Sequence, residues 1–222
     1  MKKIILSAKE IIITYILQYL LIIILCLFYT LLGGKNLTKF INTYCSIFLL
    51  IFYIIITIYL YNKNKITEPN LNKKYYFPLI SIGISIACLL NMVIFIIHKN
   101  TITSNLSNLF LLISSGIIGP IYEEVLFRYI FLNKLKQFNT TKKAIIINSL
   151  IFALIHINPI KICYAFILGL ILNITYKKYK NIKAPIIIHI SANIIVLFIS
   201  TFNIYILVLS FIILLINKKY VI

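Results

Sequence analysis

The stretch GPIYEEVLFRYIF, residues 119–131, places three charged side chains inside a long apolar run. They are Glu123, Glu124 and Arg128. The chain has only four acidic residues, all of them glutamates, and Arg128 is its only arginine. A charged group in lipid is costly unless it is paired or faces a cavity lined by protein. The stretch therefore predicts a polar site within a membrane-embedded helix.

The rest of the sequence has the composition of a membrane protein. Its hydrophobic fraction is 62% and its mean hydropathy is +1.03, whereas soluble domains are about 45–50% apolar. The apolar runs are long and continuous, which favours helices over barrel strands. We predict an all-α, polytopic membrane protein with about eight transmembrane helices, forming a single integral membrane domain over residues 1–222. The expected spans are about 11–32, 41–61, 76–97, 105–132, 144–157, 162–176, 184–200 and 203–217.

The distribution of lysines predicts how the chain is oriented. The formal net charge is +18, and most lysines lie at the N-terminus, in alternate loops and at the C-terminus. This pattern follows the positive-inside rule and predicts that both termini are cytosolic. The lysines would also contact anionic lipid head groups. Nucleic acid is not an expected partner, because no recognisable nucleic-acid motif accompanies the charge.

The chain divides by character into two parts. Residues 1–104 are expected to form a helical scaffold, beginning with a retained first helix, because the first apolar run is too long for a signal peptide. Residues 105–200 are expected to form the functional core. Its first helix contains small residues, which permit close helix packing, and then Pro120, which should kink the helix before the glutamates. The four cysteines are dispersed and are expected to be packing residues.

Helix geometry separates the two glutamates. Glu124 and Arg128 are four residues apart, so they share a face and can form an ion pair. Glu123 lies about 100° around the helix from Glu124 and is left for chemistry. A purely structural ion pair is the alternative for Glu124 and Arg128.

Two further apolar helices repeat the four-residue spacing. Phe152 and His156 share one helix, and His189 and Asn193 share another. All four could face a cleft in the cytosolic half of the membrane together with Glu123, although His156 is expected at a different depth. The alternatives are interhelical hydrogen bonds for the histidines and for Asn193. The remaining acids, Glu10 and Glu68, are expected to be solvated boundary residues.

The sequence excludes several protease chemistries. It has no aspartate, no HExxH motif and no GxSxG motif. A carboxylate and an imidazole can instead deprotonate a water, with or without a metal ion, and a His/Asn pair can stabilise an oxyanion. Glu123, His156 and His189 also match a catalytic zinc ligand set. Zinc therefore stays an open alternative.

The motifs EEVLFR, FALIH and HISAN, in this order, resemble those of the CPBP intramembrane proteases. This family includes CAAX prenyl endopeptidases of the Rce1 type and bacteriocin-processing or self-immunity proteins. The resemblance covers about residues 105–200 and implies eight membrane helices with a cleft open to the cytosol. By this resemblance Glu123 and His156 activate water, and His189 and Asn193 form the oxyanion site or bind metal. Glu124 and Arg128, with Phe152, support these residues.

One position departs from the family pattern. Tyr129 stands where the family often has glycine, and its ring would narrow the cleft.

The predicted function is hydrolysis of peptide bonds by an intramembrane endopeptidase. Its substrates would be membrane-associated, leader or bacteriocin-type peptides, and its location a bacterial plasma membrane. An immunity or scaffold protein that acts by binding is the first alternative. A transporter or proton path through the polar cleft is the second.

Overall fold

The computed structural model describes residues 2–98, 109–196 and 203–221, and all regular structure within them is helical. We number the main helical segments α1 to α8. A short helix, Lys2–Ser7, precedes α1. The eight segments are Lys9–Leu31, Leu37–Asn64, Tyr76–His98, 109–136, Thr141–Leu154, Pro159–Tyr179, Lys183–Val196 and Ile204–Asn217.

The predicted all-α class is confirmed. Among the described residues, four stretches are helical for at least 18 residues and apolar enough to cross a membrane: Lys9–Leu31, Leu37–Asn64, Lys73–Ile96 and Pro159–Tyr179. The protein is therefore a polytopic membrane protein, and the total of eight spans stays a prediction. Residues 105–108 and 197–200, which belong to two predicted spans, lie outside the described residues.

The first two helices are peripheral. Along α1 only Ile11 and Thr14 are buried, and most of its isoleucines and leucines are exposed. Only 17% of the most apolar window of Leu37–Asn64 is buried, against 50% for that of Lys73–Ile96. Because lipid is the natural solvent for such apolar surfaces, α1 and α2 form the outer part of the bundle.

The centre of the bundle is α4, which packs between α2 and α7 and also contacts α5 and α6. The segment Val125–Leu132 is buried at every position. It forms the largest hydrophobic cluster together with α5 and α6. A second cluster joins α3, α6 and α7. Glu124 and Arg128 of α4 therefore lie in the interior of the protein.

Helix α4 is irregular at the predicted kink. The segments Ser114–Ile118 and Val125–Leu132 are π-helical, and the α-helical segment Gly119–Glu124 lies between them. A Cβ at Gly119 would lie 2.7 Å from the Ser114 carbonyl oxygen, so this turn requires glycine. Such π segments alter the direction of the side chains that follow them.

Two glycines allow the helices around the site to approach closely. A Cβ at Gly83 would collide with the Ser191 side chain and the Ile188 carbonyl, so α3 packs directly on α7. A Cβ at Gly169 would lie 3.1 Å from the Phe152 ring, where α6 crosses α5. Both contacts position helices that carry candidate site residues.

Candidate active site

A buried ion pair lies at the centre of the site. Arg128 Nη1 is 2.9 Å from Glu124 Oε1, and both side chains have no exposed surface. The guanidinium also donates to the Gly169 carbonyl at 3.4 Å and lies 4.4 Å from the centre of the Phe152 ring. The contacts from α5 and α6 thus hold Arg128 in one orientation and give Phe152 a supporting role.

His189 on α7 joins the same ion pair. Its Nδ1 lies 2.7 Å from Glu124 Oε1, the oxygen that also contacts Arg128. An ionised carboxylate can only accept hydrogen bonds, so the Nδ1–H of His189 donates to Glu124. The other ring nitrogen, Nε2, then faces Glu123, with 3.7 Å between Nε2 and Glu123 Oε2. Glu124 therefore orients the imidazole towards Glu123.

Glu123 is the accessible member of this group. Its side chain is 24% exposed, against 4% for His189 and 0% for Glu124. Helix geometry predicted that the two glutamates point in different directions, and their contacts differ as expected. A substrate can therefore reach Glu123 more readily than the pair behind it.

Scaffold helices contribute aromatic side chains next to Glu123. Tyr122, the preceding residue, is buried and stacks on Tyr53 of α2 with ring centres 4.7 Å apart. Its ring centre is also 6.3 Å from that of Tyr15 on α1. The peripheral helices thus cover one side of the polar site with aromatic rings.

His156 lies in the turn that follows α5. Its Nδ1 is 3.0 Å from the Phe152 carbonyl oxygen, and its ring packs edge-on to the Phe152 ring at 5.3 Å. The His189 ring packs on the same phenyl group at 5.9 Å. Among the described residues no hydrogen bond or ion pair joins His156 to Glu123 or His189. The two histidines are therefore neighbours across Phe152.

Asn193 supports the irregular turn of α4. Its Nδ2 donates to the Ser115 carbonyl at 3.1 Å. In a π-helix the Ser115 carbonyl would accept from the N–H five residues later. That residue is Pro120, which has no N–H. This contact links α7 to α4 at the turn before Glu123.

A metal ion at this site would need several ligating side chains close together. In the described ranges, no group of three or more His, Cys, Asp or Glu side chains is placed to hold one. Glu123 and His189 converge, whereas His156 makes its polar contact elsewhere. As placed, the donors do not fit a three-ligand zinc site. The ligand set Glu123, His156 and His189 stays a prediction.

Tyr129 contacts the loop between α2 and α3. Its hydroxyl accepts from the Ile66 N–H at 2.6 Å and donates to the Ile66 carbonyl at 3.1 Å, and its ring stacks on Tyr61 at 4.8 Å. The Tyr129 side chain thus attaches the loop between α2 and α3 to α4. The narrowing of the cleft by this ring stays a prediction.

Glu68 in the same loop is not the solvated residue that was expected. Its carboxylate accepts from the Ile182 N–H at 2.9 Å and from the Tyr176 hydroxyl at 3.1 Å. Partial burial raises the pKa of Glu68, and these hydrogen bonds only partly oppose that effect. Glu10 is likewise paired, with Lys134 Nζ 2.6 Å away. Glu68 therefore joins the loop to α6 and to the start of α7, and Glu10 joins α1 to α4.

Replacing Tyr129 with phenylalanine should release this loop. Both hydrogen bonds to Ile66 are lost, at a cost of about 1–3 kcal/mol if the backbone groups are left unpaired. We expect trypsin to cut after Lys65 faster in membranes that carry Tyr129→Phe. Tyr59→Phe, which changes an exposed tyrosine of α2, is the matched control. Equal cutting rates in both variants would contradict the fastening role.

Comparison with known proteins agrees with the position of this site. No curated protein and no solved structure matches the chain. Residues 105–195, which contain the polar residues of α4, α5 and α7, match the family model described as type II CAAX prenyl endopeptidase Rce1-like. This match covers the polar core of the chain and supports its resemblance to the Rce1-like members of the CPBP intramembrane proteases.

Proposed function

We propose that the protein is an intramembrane endopeptidase in which Glu123 acts as the general base. The observation that carries this proposal is the 3.7 Å distance between Glu123 Oε2 and His189 Nε2. The other ring nitrogen of His189, Nδ1, is hydrogen-bonded to buried Glu124. The family match over residues 105–195 supports the class of reaction, and the geometry supports the assignment of residues.

The two facing atoms suit a water molecule. With its Nδ1–H bound to Glu124, a neutral His189 presents an acceptor at Nε2, and an ionised Glu123 presents another. Two acceptors at this distance repel each other unless a donor lies beside both. A water that donates to both would direct a lone pair towards a substrate carbonyl. This geometry is the one that general-base catalysis requires.

Hydrolysis would then proceed in two steps. Glu123 takes a proton from the water while the water oxygen bonds to the peptide carbonyl carbon, giving a tetrahedral oxyanion. The C–N bond breaks as the proton from Glu123 passes to the amine nitrogen, which leaves an amine and a carboxylic acid. The Asn193 amide is a candidate donor to the oxyanion. His156, with Nδ1–H donating to the Phe152 carbonyl, would accept a hydrogen bond from water or substrate through Nε2.

The substrate is a peptide segment at the membrane. We infer that the site opens to the cytosolic side of an eight-span bundle with both termini cytosolic, on the strength of the lysine distribution. Leader, pheromone or bacteriocin peptides and prenylated C-termini are the candidate substrates. The plasma membrane of a bacterium is the proposed location.

Reconstitution in liposomes tests this function. The purified protein is incubated with a mixed set of prenylated and unmodified amphipathic peptides, and the fragments are identified by mass spectrometry. We expect internal cleavage by the wild type and its loss in His189→Gln. Absence of cleavage of every peptide, together with tight peptide binding, would favour the immunity or scaffold function.

Removal of divalent metal provides a separate prediction. Because the proposed steps use only Glu123, His189 and their neighbours, cleavage should persist after dialysis against a strong chelator. The rate is measured before and after chelation, and again after zinc is added back. Loss of activity that zinc restores would assign the enzyme to the metallo type.

A further inference from the structure

A cavity lined by several lysines lies apart from the candidate active site. It occupies about 630 Å³ where α2, α4 and α6 end. Its volume is within the range typical of small-molecule sites, about 300–1,000 Å³. Its lining residues are Asn64, Ile66, Thr67, Tyr129, Ile130, Asn133, Lys134, Lys136, Gln137, Thr141, Tyr176, Lys177 and Lys180.

The charges around this cavity are not balanced. Four lysines line it, and the lining includes no acidic residue among those that the structure describes. Lys134 is neutralised by Glu10 at 2.6 Å. The other three, Lys136, Lys177 and Lys180, form no salt bridge with any described carboxylate.

Glu68 does not supply the missing charge. Its two oxygens accept from the Tyr176 hydroxyl and the Ile182 N–H, and it is not part of the cavity lining. Lysines in the last turns of helices also interact favourably with the helix dipole. That effect explains lysines at the ends of α4 and α6, but it gives no reason for three ammonium groups to line one cavity.

Lys136 shows that the lysines are close to one another. Its side chain is half-buried, and its ammonium lies 5.4 Å from the centre of the Tyr176 ring. Burial lowers the pKa of Lys136, and the charges of Lys177 and Lys180 lower it further. An anion in the cavity would relieve this repulsion. Gln137, Thr67 and Thr141 add side chains that can donate hydrogen bonds.

We propose that this cavity binds a phosphate group, supplied either by the head group of an anionic phospholipid or by a soluble phosphate. Lys136, Lys177 and Lys180 would neutralise its charge, and the surrounding amide and hydroxyl groups would complete its hydrogen bonds. The lysines belong to the membrane face that the positive-inside pattern assigns to the cytosol, where anionic lipids concentrate. The proposal is independent of the peptidase function.

The test compares phosphate-containing probes on purified protein. Native mass spectrometry measures binding of phosphatidylglycerol and of zwitterionic phosphatidylcholine, and thermal unfolding measures the effect of inorganic phosphate. The test variant carries Lys136→Gln, Lys177→Gln and Lys180→Gln. The control carries Lys73→Gln, Lys142→Gln and Lys143→Gln, which remove the same charge from exposed positions outside the cavity.

We expect the test variant to bind phosphatidylglycerol about a hundredfold more weakly than the wild type, and the control to bind within about twofold of it. Stabilisation of the wild type by inorganic phosphate would identify a site for soluble phosphate, and binding of phosphatidylglycerol alone would identify a lipid site. Equal binding by both triple variants would overturn the proposal. So would equal binding of phosphatidylcholine and phosphatidylglycerol by the wild type.

Two further measurements guard against misfolding. Lys136→Arg keeps the charge and should bind as the wild type does. Binding to the wild type itself should weaken as ionic strength rises, and binding that is insensitive to salt would contradict a charge-based site.

Discussion

Replacing Arg128 with methionine is expected to destabilise the folded protein by about 3–5 kcal/mol. Arg128 is fully buried and contacts Glu124, Gly169 and the Phe152 ring. Methionine removes the positive charge and leaves the Glu124 carboxylate buried with only His189 as partner. The loss should appear as a fall in the thermal unfolding midpoint of about 6–20 °C.

Thiol labelling gives a suitable readout. Cys45 and Cys88 are buried, whereas Cys163 is exposed and reacts without unfolding. A thiol-reactive dye therefore reports unfolding as additional labelling on heating. The double variant Glu124→Gln with Arg128→Met removes both charges and should recover part of the lost stability, since no unpaired charge remains. Equal stability of wild type and Arg128→Met would contradict the central role of the pair.

Replacing Glu123 with glutamine is expected to abolish most of the activity while leaving the stability of the fold nearly unchanged. The amide cannot accept a proton from water, and general-base catalysis contributes about 10²–10⁴-fold to rate. Because Glu123 is 24% exposed, its replacement leaves no buried charge unpaired. We expect kcat to fall about a thousandfold while the unfolding midpoint stays within about 2 °C of the wild type.

Glu124→Gln is the matched comparison for this prediction. It replaces the same carboxylate with an amide at the adjacent position. Unlike Glu123, however, Glu124 accepts hydrogen bonds from both Arg128 and His189. We expect it to lower stability as well as activity, because it leaves the buried Arg128 without its counterion. Equal losses of stability in the two variants would show that the two glutamates do not differ in role.

Much of the site could be predicted because helical spacing is a local property. Residues four apart on a helix share a face, and this rule anticipated the contact between Glu124 and Arg128 and the distinct position of Glu123. The apolar runs likewise predicted the helical class. Pro120 indicated an irregular α4, and the structure shows π-helical segments on both sides of Gly119–Glu124.

Interhelical partners could not be predicted from spacing, because they depend on how the helices are rotated and tilted. The family resemblance paired Glu123 with His156, whereas the structure places His189 beside Glu123. The bond from Asn193 to the Ser115 carbonyl depends on the π-helical turn. The contacts of Glu68 could not be predicted for a similar reason, since the loop between α2 and α3 folds back onto α4 and α6.

If Glu123 activates water for peptide hydrolysis, the peptide termini found in cells should depend on its carboxylate. Cells carrying the wild type and cells carrying Glu123→Gln are brought to equal membrane abundance, and the termini of all peptides are identified. We expect new peptide termini only in cells with the wild type, and their sequences would identify the substrate. Identical termini in both cells, with any protective phenotype intact, would contradict a catalytic role for Glu123 and indicate a protein that acts by binding.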